Sequence, residues 1–288
     1  MAMSDFGKSP KRVAGCSTRH FVCLFLLILA SVFHAGIAVA DDTEVDVELI
    51  LAVDVSRSMT PNELEIQRRG YAEAIVSDEV IGAIRNGLIG RIAITYVEWA
   101  GSWSQNVVVE WMIISNVDEA RVFAEQLTAR FENSLRRTSI SGAIDFTSGL
   151  FEDNGFIANR QVIDISGDGP NNHGRPVVPA RDEALARGIV INGLPLMTKE
   201  GMGTQWMLED LDQYYRHCVI GGPRSFVLPV KEWSQFPTAV RQKLVLELAD
   251  ATPPIARDLI VRIQASEAYD CLVGEKIWNR MRDIWSEP

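Results

Sequence analysis

Leu49-Ile50-Leu51-Ala52-Val53-Asp54-Val55-Ser56-Arg57-Ser58 is the stretch on which the reading of this chain turns. The continuous apolar run from Leu49 to Val53 has the pattern of a strand covered on both faces, as strands are in parallel sheets. Asp54 ends the run, and a loop with serines at alternate positions follows. Thr60-Pro61-Asn62-Glu63 then combines a capping box with proline at the first helical position. Leu64, Tyr71, Ala74 and Ile75 recur at helical spacing, which predicts a helix to about Ser77.

The same alternation continues outward from this unit. Segments 91–99 and 107–114 read as two strands of an antiparallel pair, and 118–131 and 139–150 read as helices. Gln161 to Ile165 is a short strand broken by Asp164 and ending in Ser166-Gly167-Asp168-Gly169-Pro170. A helix over 179–187 stopped by Gly188, a strand over 189–196, a short helix over 206–215, a strand over 226–230 and a helix over 233–248 complete the pattern. Strands alternating with helices specify an α/β fold, here a doubly wound, mostly parallel, six-stranded sheet with helices on both faces and one antiparallel edge strand. Thr252-Pro253-Pro254 breaks the chain, so 45–249 is expected to form the domain and 250–288 a helical C-terminal extension.

An apolar share of 47% and a charged share of 23% over 288 residues describe an ordered globular chain and exclude a disordered or coiled-coil one. A formal charge of −10 argues against a nucleic-acid partner or an anionic membrane surface. Lys8, Lys11, Arg12 and Arg19 precede the apolar run from Phe21 to Phe33, and Ala38-Val39-Ala40 supplies small residues at its end. That arrangement reads as a signal peptide over 1–40, with export to the periplasm or cell exterior and no stable membrane span after cleavage. An uncleaved anchor is the competing reading, against which His34 and Gly36 interrupt the run. Cleavage would remove Cys16 and Cys23, leaving Cys218 and Cys271 as one disulfide or as two separate buried thiols.

In such a sheet, ligands bind where strands end at their carboxyl edge. Three of these edges concentrate short oxygen-bearing side chains: Asp54 with Ser56 and Ser58, the polar loop around Thr138, Ser139 and Ser141, and Asp168. Oxygen donors without cysteine, and with only His173 nearby, suit Mg²⁺, Mn²⁺ or Ca²⁺ and argue against zinc. Ser139 and Ser141 read as helix-start hydrogen bonders, and His173 as a solvated loop residue. Asp164 reads either as an acceptor buried beneath the site or as the partner of a basic residue. Trp99, Trp103, Trp111 and Trp206 are candidates for the rim of a partner-binding face, with Trp111 expected in the sheet and Trp103 and Trp206 in exposed loops.

Asp54-Val55-Ser56-Arg57-Ser58 resembles the D-x-S-x-S signature of von Willebrand factor type A domains. Thr138, followed by Ala143-Ile144, resembles their metal-site threonine loop. Ser166-Gly167-Asp168-Gly169 resembles their T-D-G turn, with glycine where the threonine stands. The resemblance covers about residues 45–249 and extends to an uncharacterised exported bacterial branch of such proteins. It implies a metal ion-dependent adhesion site with direct contacts from Ser56, Ser58 and Thr138, and with Asp54 and Asp168 acting through water or from behind those ligands. It further implies a protein partner whose Asp or Glu completes the coordination of the cation. Hydroxyls leave a cation less neutralised than carboxylates do, so it keeps its attraction for an external acid.

No G-x-S-x-G, H-E-x-x-H or G-x-x-x-x-G-K-[ST] occurs in the sequence. A haloacid-dehalogenase-type phosphohydrolase would need a second aspartate where this chain has Ser56. The expectation is therefore a non-enzymatic, exported, metal-dependent protein-interaction module. An exported scaffold with a vestigial metal site is the alternative, and a metal-dependent phosphohydrolase a weaker one.

Overall fold

Glu48–Asp54 forms β2, and every residue of it is buried. Its side chains alternate between two cores: Leu49, Leu51 and Val53 enter one, Ile50 and Ala52 the other. The computed structural model describes residues 42–129, 135–198, 208–249 and 269–286. The expected signal segment and Trp206 lie outside these residues.

The remaining elements, in chain order, are β1 (Thr43–Val45), α1 (Pro61–Ile75), α2 (Asp78–Arg85), β3 (Ile92–Trp99), β4 (Gln105–Ile114), α3 (Val117–Thr128), α4 (Ile140–Gly149), β5 (Phe156–Ala158), β6 (Gln161–Gly167), α5 (Val177–Ala186), β7 (Val190–Pro195), α6 (Leu211–Tyr214), α7 (Phe236–Leu248) and α8 (Val273–Ser286). The main sheet has five strands in the order β4-β3-β2-β6-β7. β2 is parallel to β3 on one side and to β6 on the other, and β4 runs antiparallel at the edge. β1 and β5 form a separate parallel pair that the hydropathy pattern did not announce. Helices α1, α3 and α7 cover one face; α4, α5 and a π-helical turn over Tyr215–Val219 cover the other.

The expected sixth strand is present in position but not in regular form. Residues Val227 and Val230 bridge to Gly193 and Leu196 beyond β7. Gly193 N–H donates to the Phe226 carbonyl, Leu228 N–H to Gly193, and Val230 N–H to Pro195. The missing rung is the one Pro195 would make, because proline has no N–H to donate. The helix expected to reach about Ser77 ends at Ile75, and Ser77 then caps a second helix, α2, by accepting the Val80 N–H. The capping box at Thr60 and Glu63 forms as read.

Asp164 resolves as the partner of a base. It sits mid-β6, where Lys243 Nζ of α7 lies 2.6 Å from it and 2.5 Å from Glu247, all three side chains being buried. Asn192 of β7 donates to the same Glu247 at 3.0 Å. Burial pushes the Asp164 carboxyl up to about 7, Lys243 pulls it back, and Glu247 pushes it up again. One ammonium thus serves two carboxylates. Removing it strips both buried carboxylates of the ammonium they share, so Lys243→Ala is expected to destabilise the fold by about 3–5 kcal/mol. Urea unfolding of the variant against wild type measures this, and a loss below about 1 kcal/mol would contradict it.

Candidate functional site

β2 and β6 are parallel neighbours with Val53 opposite Ser166, so both release their chains at the same sheet edge. Asp54 leaves β2 fully buried, and its Oδ1 accepts the Ser56 N–H at 2.7 Å. That turn sets Ser56 Oγ 2.9 Å from Ser58 Oγ, and Ser58 Oγ donates to Asp168 Oδ1 at 2.8 Å. A continuous polar run therefore joins the first and third loops singled out in the sequence. Asp54 Oδ2 is buried without a hydrogen-bond partner.

Thr138 is buried on the intervening loop. Leu135 N–H donates to the Val55 carbonyl at 2.9 Å, which lays this loop against the serine loop. Thr138 N–H donates to Asn172 Oδ1 at 3.0 Å, and Asn172 N–H returns a bond to the Thr138 carbonyl at 2.9 Å. The structure thus links Asp54, Ser56, Ser58 and Asp168 by hydrogen bonds to their side chains, and ties the Thr138 loop to the serine loop through Leu135 and to the Asp168 loop through Asn172. Ser139 behaves as a helix cap, accepting the Gly142 N–H. Ser141 N–H donates to Asn171 Oδ1 at 3.0 Å.

Burial and the neighbouring Asp168 raise the Asp54 carboxyl well above its ordinary value. Burial also pushes Asp168 up to about 6, against the lowering effect of the Ser58 hydrogen bond. Two close carboxylates in a dry site repel, and a cation between the loops would relieve that repulsion. The donors are hard oxygens, and Asp54 Oδ2 has an unspent lone pair, so the residues present fit a divalent cation. Among the described residues no group of three or more His, Cys, Asp and Glu side chains is gathered to hold a metal. A cation at this edge would therefore depend on the hydroxyls.

Three positioning residues escaped the sequence reading. Asn171, fully buried, accepts from Ser141 and donates its own N–H to Tyr214 Oη at 3.1 Å; Asn172 carries Thr138. Tyr215 accounts for the glycine that replaces the expected threonine. A Cβ on Gly167 would lie 3.0 Å from both Asp54 Oδ2 and Tyr215 Oη, so the tyrosine occupies space a larger residue would need. The signals were adjacent asparagines at a strand edge and an aromatic pair before Cys218, and neither has a distinctive period. His173 is part of the loop packing: its Nδ1 accepts the Ser102 N–H, and its ring meets Trp103 edge-on at 4.4 Å. Trp103 is 76% exposed, whereas Trp99 is fully buried and cannot rim a partner face. Trp111 is half-buried against Phe151 and donates its indole N–H to the Leu150 carbonyl.

Residues 44–252 match the family described as "Protein of unknown function (DUF1194)". The chain belongs to that family. No curated protein matches it. Among solved structures, this DUF1194 chain is similar to proximal thread matrix protein 1 from the mussel byssus, with 14% identity, a TM-score of 0.50, and coverage of 73% of this chain and 49% of that one. Another structure of the mussel protein, with the same identity, coverage and TM-score, has a zinc-occupied MIDAS motif. A von Willebrand factor type A protein from Catenulispora acidiphila aligns at a TM-score of 0.46 with 13% identity over 71% of this chain and 43% of that one. This chain spans about half the length of the mussel protein. The likeness is one of fold: an α/β architecture shared with the mussel protein.

The raised carboxyls make a signed prediction. A carboxyl whose folded pKa lies above its unfolded value of 3.8 binds its proton more tightly in the folded state, so it weakens the fold above about pH 6 and ceases to do so below 3.8. Asp168→Asn is therefore expected to raise the metal-free melting temperature at pH 7.5 by about 2–4 °C, the shift that about 1 kcal/mol gives a domain of this size. The gap should close as pH falls toward 4. Paired thermal melts across this range check it, and a gap that widens on acidification would refute it.

Proposed function

We propose that this DUF1194 chain is an exported protein-interaction module that holds a divalent cation, Mg²⁺ or Mn²⁺ or Ca²⁺, at the Asp54, Ser56, Ser58, Thr138 and Asp168 edge. The observation that carries the reading is the hydrogen-bonded run from Asp54 through Ser56 and Ser58 to Asp168, with Asp54 Oδ2 buried and unpartnered. When bound, the cation supplies a Lewis-acidic position for a partner's carboxylate. Ser56, Ser58 and Thr138 offer neutral oxygens to it, and Asp54 and Asp168 supply negative charge from the flanks. Asn172 fixes the Thr138 loop, and the Ser56 N–H fixes the rotamer of Asp54. The partner this chemistry selects is a protein segment presenting Asp or Glu.

Export draws support from the covalent structure. Cys218 and Cys271 form a disulfide, the bond expected of a protein that matures in an oxidising compartment. No helix among the described residues is long and apolar enough to cross a membrane.

Titration with Mg²⁺ or Mn²⁺ is expected to raise the melting temperature of wild type and to leave Asp54→Ala, folded by circular dichroism, unmoved. At a hundredfold excess over the dissociation constant the stabilisation is about 2.7 kcal/mol. Immobilised peptides carrying a single Asp or Glu should retain the wild-type protein in Mg²⁺ and release it in EDTA. Peptide capture that persists in excess EDTA would favour the scaffold reading, and the absence of any cation-induced shift would remove the metal site.

A further inference from the structure

Helix α8 lies beyond the residues matched by the family, yet it packs on the loops that carry the candidate site. Cys271, just ahead of it, is bonded to Cys218 in the π-helical turn that also supplies Tyr215. Tyr269 reinforces this anchor: its ring stacks on His217 at 5.4 Å, and its hydroxyl donates to Asp210 Oδ2 at 3.0 Å. From the anchor, α8 reaches both site loops. Glu275 Oε1 accepts from Asn171 Nδ2 at 2.7 Å, three residues after Asp168. Trp278 receives the Arg137 guanidinium 3.4 Å from its ring centroid, one residue before Thr138.

Two details make these contacts more than surface packing. A Cβ on Gly274 would come within 2.1 Å of the Asn171 carbonyl oxygen, so the helix approaches as closely as a backbone without a side chain permits. Arg137 adopts a left-handed backbone with φ of +78°, an unfavourable conformation for arginine, at the position where it meets Trp278. Asn171 is also the residue that holds Ser141 and Tyr214. Through Glu275 and Trp278, one helix therefore grips the loop after Asp168 and the loop before Thr138.

We infer that α8 is a disulfide-anchored brace for the candidate metal site, with Glu275 and Trp278 as positioning residues that keep the Thr138 and Asp168 loops in register. Breaking the bond requires a two-electron dithiol reductant, which yields two thiols, at Cys218 and Cys271, and is itself oxidised to its disulfide. Cys218 is buried and Cys271 half-exposed, so attack falls on the Cys271 sulfur. Reduction then frees the N-terminal end of α8 and lowers the affinity of the site for its cation.

This inference rests on the proposed metal site, and the experiment separates the two. Mn²⁺ binding to the full chain is measured by isothermal titration, with circular dichroism confirming that each sample is folded. Glu275→Ala/Trp278→Ala, Gly274→Ala and the dithiol-reduced wild type are each expected to bind Mn²⁺ about tenfold more weakly, the scale on which residues behind metal ligands act. Asn279→Ala, exposed on the same helix, should bind like wild type. If oxidised wild type binds Mn²⁺ and the three perturbed forms bind it equally well, the brace is overturned while the metal site stands. If oxidised wild type takes up no Mn²⁺, both fall.

Discussion

A strand buried on both faces is stable only when strands flank it on both sides and helices cover it above and below, and β2 imposes that arrangement on the chain. Its seven residues carry no exposed face, so β3 and β6 must satisfy its backbone donors and acceptors. Because β6 is parallel to it, the two strands deliver their following loops to one edge. Asp54 and Asp168, distant in sequence, become neighbours through this single constraint. The site is a by-product of how the central strand is buried.

The same burial creates the electrostatic character of that edge. A carboxylate in a dry setting is costly unless a cation or several donors compensate it. In the core beneath, Lys243 plays that part for Asp164 and Glu247. At the edge Asp54 is held by the Ser56 N–H and Asp168 by the Ser58 hydroxyl, with no basic side chain among the described residues bonded to either. The two sites differ in completeness: the core triad carries its own cation, whereas the edge pair has oxygens to offer and raised proton affinities. Charge that the fold leaves uncompensated at a strand edge is charge available to a ligand.

Local chemistry also accounts for where the architecture departs from the simplest pattern. Pro195 deletes one N–H from β7, and the neighbouring segment survives as isolated bridges instead of a strand. Gly167 and Tyr215 act together, because the missing side chain at one leaves room for the hydroxyl of the other beside Asp54. Gly274 plays the corresponding part for α8, letting a helix tied by a disulfide approach the Asn171 carbonyl.

The sequence by itself determined the elements whose signals are local. The apolar run of β2, the Thr60 capping box, the stop at Gly188 and the D-x-S-x-S loop were all legible because each depends on neighbouring residues. Only the tertiary structure decided which of the polar residues meet. It paired Asp164 with Lys243, buried Trp99, made Asn171 a hub between α4, α6 and α8, and set Tyr215 against Gly167. None of these has a periodic signature, since each joins elements far apart along the chain. Hydrophobic pattern specifies which face of an element is buried, whereas the partner across the core is chosen by strand order and register, which no short window of residues encodes.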